Sequence, residues 1–283
     1  MGLLQCGNLT IEGESSSAVA TYLRVRELDL VFDLGRCPMH FIGTNHVFIS
    51  HFHLDHYYGL PVYISQRWLA GMPPGHIYVP KAGVVELREI IERISLLDCG
   101  HVWDSRLNPV EAGDEVAFRK NLVAHVLPLE HRVPAVGYLV CEARDKLKPE
   151  FYGLPGHKLA ELRREGTPVT NRVELPLVAY VGDTSRVPFD AHPLLAHCAV
   201  LICECTFLLA EHKERAAKTG HLHLDNLPAI LETFKGEHLI LTHFSRRYTA
   251  QVIEEEIKTA LPPEAYERIQ LFISSSAEMV EPA

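Results

Sequence analysis

Three histidines and an aspartate fall within six residues of the stretch Ile49-Ser50-His51-Phe52-His53-Leu54-Asp55-His56-Tyr57-Tyr58-Gly59-Leu60, in the order His-x-His-x-Asp-His. Neutral imidazole and carboxylate are the ligands that a borderline divalent ion such as Zn²⁺ prefers. With His51 and His53 pointing one way and Asp55 and His56 another, one short turn can serve two metals. A catalytic pair of ions needs further ligands from other parts of the chain. His131 in Leu127-Pro128-Leu129-Glu130-His131, Asp183 in Val181-Gly182-Asp183-Thr184 and His243 in Leu241-Thr242-His243-Phe244-Ser245 are the candidates. Each alone has a structural reading: a hydrogen-bonded histidine, or a turn or N-cap for Gly-Asp-Thr.

All four sites follow apolar, β-prone runs. Asn45–Ser50 reads as a buried strand and Leu60–Leu69 as a helix, which places the His-x-His-x-Asp-His cluster on a strand-to-helix turn, where α/β folds put their chemistry. Leu122–Leu127, Val178–Val181 and His238–Leu241 read as strands before His131, Asp183 and His243. Val19–Arg24 with Asp29–Phe32 predicts an opening antiparallel pair, and 116–118, 122–127 and 136–142 a meander. Helical spacing runs from Val84 to Leu97. Asp225 with Pro228 opens a helix to Phe234, and Thr249 starts another that reaches about Ala260 before Pro262-Pro263 stops it. Two successive sets of strands and helices predict an α/β chain with two sheets and helices outside them. No repeat or low-complexity segment is evident in the sequence.

His-x-His-x-Asp-His, a later His, Gly182-Asp183-Thr184 and Thr242-His243-Phe244-Ser245-Arg246-Arg247-Tyr248, in this order, resemble the metallo-β-lactamase superfamily, and within it the short-form tRNase Z (ribonuclease Z) branch. Phe32-Asp33-Leu34-Gly35-Arg36-Cys37-Pro38 is part of the likeness, which covers nearly the whole chain. The resemblance implies the αβ/βα sandwich in a single domain spanning 1–283. It further implies one divalent ion, most simply Zn²⁺ with Mn²⁺ as the alternative, on His51, His53 and His131. A second would lie on Asp55, His56 and His243, with Asp183 bridging. Asp55 would also handle the proton of the attacking water. His221 in Thr219-Gly220-His221 would donate to the leaving oxygen, with Glu204 as its carboxylate partner, His223 being the rival for that role. The implied activity is endonucleolytic removal of the 3′ trailer of precursor tRNA, by a protein that forms homodimers. Gly13-Glu14-Ser15-Ser16-Ser17-Ala18-Val19 stands where most bacterial members have Pro-x-Lys-x-Arg-Asn, and Gly35-Arg36-Cys37-Pro38-Met39 resembles a short branch known from plants.

The formal net charge of −9 excludes a protein that coats a phosphate backbone over its whole surface. Any grip on RNA must be local. Between residues 144 and 172, seven cations including Arg144, Lys146, Lys148 and Arg172 face four acids, a surplus of +3. This loop-rich insertion, about 144–175 with one short helix, falls where the family carries its RNA-gripping arm. Its ordinary reading is a solvated crossover. Lys146 and Lys148 are its candidate contacts, and Ser245 and Arg247 those beside the metals. Seven cysteines without a Cys-x-x-Cys pair fit a reducing cytoplasm, and Cys203 and Cys205, two apart on a strand, read as core. The N-terminal residues do not read as a signal peptide, and no apolar run is long enough to span a membrane. A small-molecule hydrolase acting on a phosphodiester, lactone or thioester is the alternative to the nuclease. A binding protein with a vestigial site is disfavoured, since every ligand position carries a competent residue. Because ligation needs neutral histidines, activity is expected to fall below about pH 6.

Overall fold

Apolar strands that alternate in direction and then repeat it build two matching sheets. A computed structural model describes residues 1–273. The first sheet takes its strands in chain order: β1 Gly2–Cys6, β2 Leu9–Ser16, β3 Ala20–Val25, β4 Leu30–Phe32, β5 His46–Phe48, β6 His76–Pro80 and β7 Arg106–Val110. β1 to β4 pair antiparallel, and β4 to β7 parallel. The second sheet repeats the plan with β8 Glu115–Arg119, β9 Leu122–Pro128, β10 Val136–Leu147, β11 Thr170–Val181, β12 Val200–Glu204, β13 His238–Thr242 and β14 Ile269–Leu271. Here β8 to β11 are antiparallel and β11 to β14 parallel. The sequence, which showed no repeat, thus folds into a duplicated topology.

The two sheets face each other across a core that includes Phe32, Phe48, Tyr138, Tyr180, Val200 and Ile240. Parallel strands covered on both faces read as near-continuous apolar runs, as Leu30-Val31-Phe32 and Leu201-Ile202 do. The helices lie outside. α1 Leu54–Tyr57, α2 Leu60–Leu69 and α3 Val84–Cys99 belong to the first half; Leu60, Tyr63, Ile64, Leu87 and Ile91 from α2 and α3 pack on the first sheet's outer face. α4 Gly156–Arg164, α5 Lys213–Thr219, α6 Leu227–Thr233, α7 Ala250–Ala260 and α8 Pro263–Tyr266 follow, and α6 and α7 cover the second sheet. This is the αβ/βα sandwich.

Local chemistry explains the boundaries. α3 runs two residues beyond the sequence reading and stops where Gly100 takes the left-handed conformation, φ 76°. Thr249 caps α7 by accepting a hydrogen bond from the Val252 N–H. Pro262 does end that helix region, but Pro263 then opens the single turn of α8, since proline suits a first helical position. Cys205 lies one residue past β12 and packs in the same core as Cys203.

The 144–175 segment differs from a loop-rich insertion. β10 and β11 run on as a paired ribbon to Leu147–Thr170, with α4 at its far end and no residue of α4 buried. The ribbon was hidden in sequence because its solvated strands mix charges with Val173 and Leu175 and lack an apolar face.

Candidate metal centre

The C-terminal ends of β5, β9, β11, β12 and β13 gather at one edge of the sandwich, the place where open α/β sheets bind ligands. His51 and His53 follow β5, and Asp55 and His56 sit on the single turn α1. His131 follows β9, Asp183 follows β11, and His243 follows β13. Three non-glycine residues here adopt left-handed backbone, Asp33 with φ 53°, His243 with φ 60° and Ala18 with φ 60°. Such strain costs on the order of 1–3 kcal/mol and persists where surrounding structure over-determines it. Gly35 is required for a different reason: a Cβ there would stand 1.9 Å from the Asp55 carbonyl oxygen.

The side chains converge in two groups. His51, His53, His131 and Asp183 bring one ligand atom each within 4.8 Å of one another, and so do Asp55, His56 and His243. Asp183 Oδ2 lies between them, 3.7 Å from His51 Nε2, 3.9 Å from His131 Nε2 and 3.6 Å from His56 Nε2. Asp55 Oδ2 is 3.6 Å from His56 Nε2 and 3.5 Å from His243 Nε2.

The outward nitrogens decide what the inward ones can do. His56 Nδ1–H donates to Asp33 Oδ2 at 2.7 Å, and His131 Nδ1–H to the Gly220 carbonyl at 2.9 Å. Ser50 Oγ gives its one proton to Asp33 Oδ2, so at 3.0 Å it accepts from His51 Nδ1–H. Thr206 Oγ1 likewise donates to Glu204 Oε2 and accepts from His243 Nδ1–H at 3.0 Å. These bonds fix the tautomers and leave lone pairs aimed inward. His51 Nε2 then faces His53 Nδ1 at 3.0 Å, His131 Nε2 faces the same atom at 3.3 Å, and His56 Nε2 faces His243 Nε2 at 3.3 Å. Facing ring nitrogens repel through their lone pairs unless a proton or a metal cation lies between them. Asp183 Oδ1 is buried without a hydrogen-bond partner. Both observations fit a binuclear divalent-metal site.

Burial holds His51 well below the ordinary histidine range, helped by the charge of His56, and lowers His53 and His131 as well. For His56, burial is outweighed by Asp183 and Asp33, which lift it to about 10. Asp55 and Asp183 sit well below the carboxylate range despite burial, Asp55 through the neighbouring His243 and His56 imidazoles, Asp183 through the imidazoles that surround it.

His221 joins this cluster. Its Nδ1 donates to Glu204 Oε1 at 2.9 Å and lies 3.9 Å from Asp183 Oδ2. Burial pulls its pKa down, but Glu204 and Asp183 lift it to about 9. His223 is spent on structure: Nε2 donates to the Leu209 carbonyl, and Nδ1 accepts the Asp225 N–H to cap a short helical turn. Ser245 follows His243, is buried, and its Oγ lies 3.5 Å from Nη1 of the exposed Arg247. Lys146 and Lys148 are not brought to the cluster. Val136 N–H donates to the Ser50 carbonyl beside it, and Lys146 lies ten residues further along β10, roughly 30 Å away at the strand rise.

Three contributors carried no role in the sequence reading. Asp33, fully buried, accepts from Ser50 N–H, Ser50 Oγ, His56 and the Tyr180 hydroxyl. Thr206 links Glu204 to His243. The tip of the β2–β3 hairpin closes the cluster, where Ala18 N–H donates to Asp55 Oδ2 and His243 N–H to Ser15 Oγ. A carboxylate directly after a strand, as in Phe32-Asp33, was the available signal for the first.

The model of the beta-lactamase superfamily domain matches residues 36–244. tRNase Z TRZ1 of Arabidopsis thaliana is 34% identical over 266 residues, covering 92% of this chain and 93% of that protein. A ribonuclease Z of Porphyromonas gingivalis is 31% identical over 251 residues, 80% of each. Among solved structures, the short form of human tRNase Z matches with a TM-score of 0.60 at 20% identity, over 91% of this chain and 93% of that one. A metallo-beta-lactamase fold protein of Bacillus subtilis has the same TM-score at 13% identity, over the same shares of the two chains, so overall shape does not select a substrate.

Proposed function

The chain belongs to the metallo-β-lactamase superfamily and is related to its tRNase Z branch, and from that premise we propose that it is a divalent-metal endoribonuclease that removes the 3′ trailer of precursor tRNA. What carries the reading is the His221–Glu204 pair beside the His/Asp cluster, in a chain one-third identical to a tRNase Z over nine-tenths of its length. A phosphodiester whose leaving group is a sugar alkoxide needs a proton donor, and His221 is a histidine held protonated at neutral pH.

The roles follow from position. His51, His53 and His131 would hold one ion and Asp55, His56 and His243 the other, with Asp183 shared; Zn²⁺ suits this donor set and Mn²⁺ is the alternative. When bound, the two ions supply Lewis acidity at the phosphate and lower the pKa of the attacking water. Asp55, steadied by the Ala18 N–H, takes that water's proton. His221 donates from the imidazole edge not bound to Glu204 and protonates the departing 3′ oxygen. Arg247, exposed beside Ser245, contacts a neighbouring phosphate. Lys146 and Lys148 meet the body of the RNA along the ribbon, where they have no ion-pair partner among the described residues.

The ribbon and its end, about 144–175, are an insertion in a chain that forms one domain around the shared inter-sheet core. Leu54, Tyr58, Val62 and Leu69 leave exposed apolar surface along α1 and α2, suited to a second copy of the chain. Seven free cysteines suit a reducing compartment, the cytoplasm being the simplest. Among the described residues no helix is long and apolar enough to cross a membrane.

The test is cleavage of a 3′-extended precursor tRNA by the metal-loaded protein, with Asp55→Ala as control. A single cut near the end of the acceptor stem, absent in the variant, is the expected result. Hydrolysis of small esters alone, still dependent on Asp55, would replace this reading with that of a small-molecule hydrolase.

A further inference from the structure

A second set of metal-ligand side chains meets on the outer face of the second sheet, at the root of the ribbon. His125 of β9, Cys141 of β10 and Glu174 of β11 bring one ligand atom each within 4.8 Å of one another. We infer that these three residues form a separate site for a single borderline divalent ion of the Zn²⁺ type, with a water molecule as fourth ligand.

The strand register is what assembles them. β10 pairs Val140 with Val178 and then Cys141 with Pro176, so Leu177 is passed over in a β-bulge. Without that shift Ala143 would face Leu175, and the outer face of β11 would carry Leu175 and Val173. With it, Ala143 faces Glu174, and the carboxylate turns to the side already occupied by Cys141 and His125. The shift leaves Val173 39% and Leu175 48% exposed, so this register is not the one that burial of apolar side chains alone would select.

The donors are of the right kind and uncommitted to the reaction. Cys141 is fully buried and its thiol has no hydrogen-bond partner among the described residues. His125 Nε2 and Glu174 Oε2 are 2.6 Å apart. The His192 ring lies over His125 with centroids 4.3 Å apart, and Arg172 holds the carboxylate from the other side at 2.8 Å. His192 itself is not a ligand, because its Nδ1 accepts the Leu194 N–H and its other nitrogen therefore carries the proton. Thiolate, imidazole and carboxylate together select Zn²⁺ or Co²⁺ over Mg²⁺ or Ca²⁺. Burial pushes the free thiol up to about 12, so it is neutral until an ion displaces its proton to solvent. Binding involves no redox change. It would tie β9, β10 and β11 together where the ribbon leaves the body.

Titration of the metal-stripped full chain with Co²⁺ tests this without reference to any substrate. The candidate ligands of the binuclear centre are histidines and aspartates only, so a thiolate-to-cobalt absorption band reports the separate site. The expected result is three equivalents bound, one of them accompanied by the band. Cys141→Ser should lower the count to two and remove the band. His125→Gln should do the same, and it covers the case in which a change at the buried cysteine prevents folding. Saturation at two equivalents, a third equivalent without the band, or a band that survives either substitution would overturn the inference.

Discussion

Asn in place of Asp33 would expose how the centre keeps its histidines ready for metal. The carboxylate accepts from Ser50 N–H at 2.7 Å on Oδ1, and from Ser50 Oγ at 2.8 Å, His56 Nδ1 at 2.7 Å and the Tyr180 hydroxyl at 2.5 Å on Oδ2, all in full burial. An amide has one oxygen. If that oxygen replaces Oδ2, the NH₂ group points at the Ser50 N–H. If it replaces Oδ1, the NH₂ group faces His56, whose Nδ1 must then accept, and the imidazole proton moves to Nε2, where the metal lone pair was. Loss of an outer partner of a ligating histidine costs about 10- to 100-fold in metal affinity, or about 1.4–2.7 kcal/mol. A buried donor left unpaired costs a further 1–3 kcal/mol or so of stability. The ion at His56 should weaken most. The ion at His51 should weaken less, because Ser50 stands between that ring and Asp33. Competition with a chromophoric chelator resolves the two affinities, and excess metal should restore activity. A folded Asp33→Asn protein that holds both ions as tightly as the wild type would refute the reasoning.

Other outcomes follow from the same geometry. His221→Ala should lower RNA cleavage by about 10²- to 10⁴-fold but slow a nitrophenyl diester far less, since that leaving group needs no proton; equal losses on both would remove the general-acid role. In Glu204→Gln, burial is no longer countered and the pKa of His221 falls from about 9. The protonated donor is then lost at a lower pH, so the alkaline limb of the kcat profile at saturating metal should move toward neutrality; an unmoved limb speaks against the pair. Metal-free His56, lifted to about 10, is protonated at neutral pH, so loading should release its proton, seen as a dependence of the binding heat on buffer ionisation; no dependence contradicts the assignment. Lys146→Ala with Lys148→Ala should flatten the slope of log affinity for precursor tRNA against log salt by up to about 1.8, two phosphate contacts at 0.9 each. An unchanged slope would remove the ribbon from the RNA path.

Much of the centre was readable because its residues come directly after strands that must be apolar. Val47-Phe48-Ile49 and Leu239-Ile240-Leu241 are buried, and the polar residue that follows each run stands out. The same logic missed β1 and β2. β2 carries Glu12, which is fully buried against Arg24 and Arg26, and Glu14, which is also buried, and a strand that buries carboxylates breaks the apolar pattern. The tip of its hairpin with β3 could not be placed over Asp55 from sequence, because the Ala18 N–H contact belongs to the backbone and an alanine side chain gives no sign of it. Nor could spacing reveal the bulge at Cys141, which is a choice between two registers that differ by one residue. Lys146 and Lys148 illustrate the opposite limit. Their charge was visible, but their distance from the cluster depends on how far a ribbon without an apolar face stays paired.

The hydroxyl relays were the least legible part, and each half of the fold contains one, although the two carboxylates stand at the ends of strands that are not counterparts in the duplicated topology. In the first half Asp33 binds His56 directly and His51 through Ser50. In the second, Glu204 binds His221 directly and His243 through Thr206. Each sheet thus contributes one buried carboxylate that orients two imidazoles, one by contact and one through a hydroxyl that can pass on a single proton. The outcome differs because the direct partner differs in position. His56 aims its second nitrogen into the cluster, where an ion can take the place of its proton. His221 stands at the rim beside Asp183 and Glu204, and there the same kind of carboxylate contact keeps the proton on the ring. One device, repeated in both halves of the fold, yields a ligand in one and a proton donor in the other.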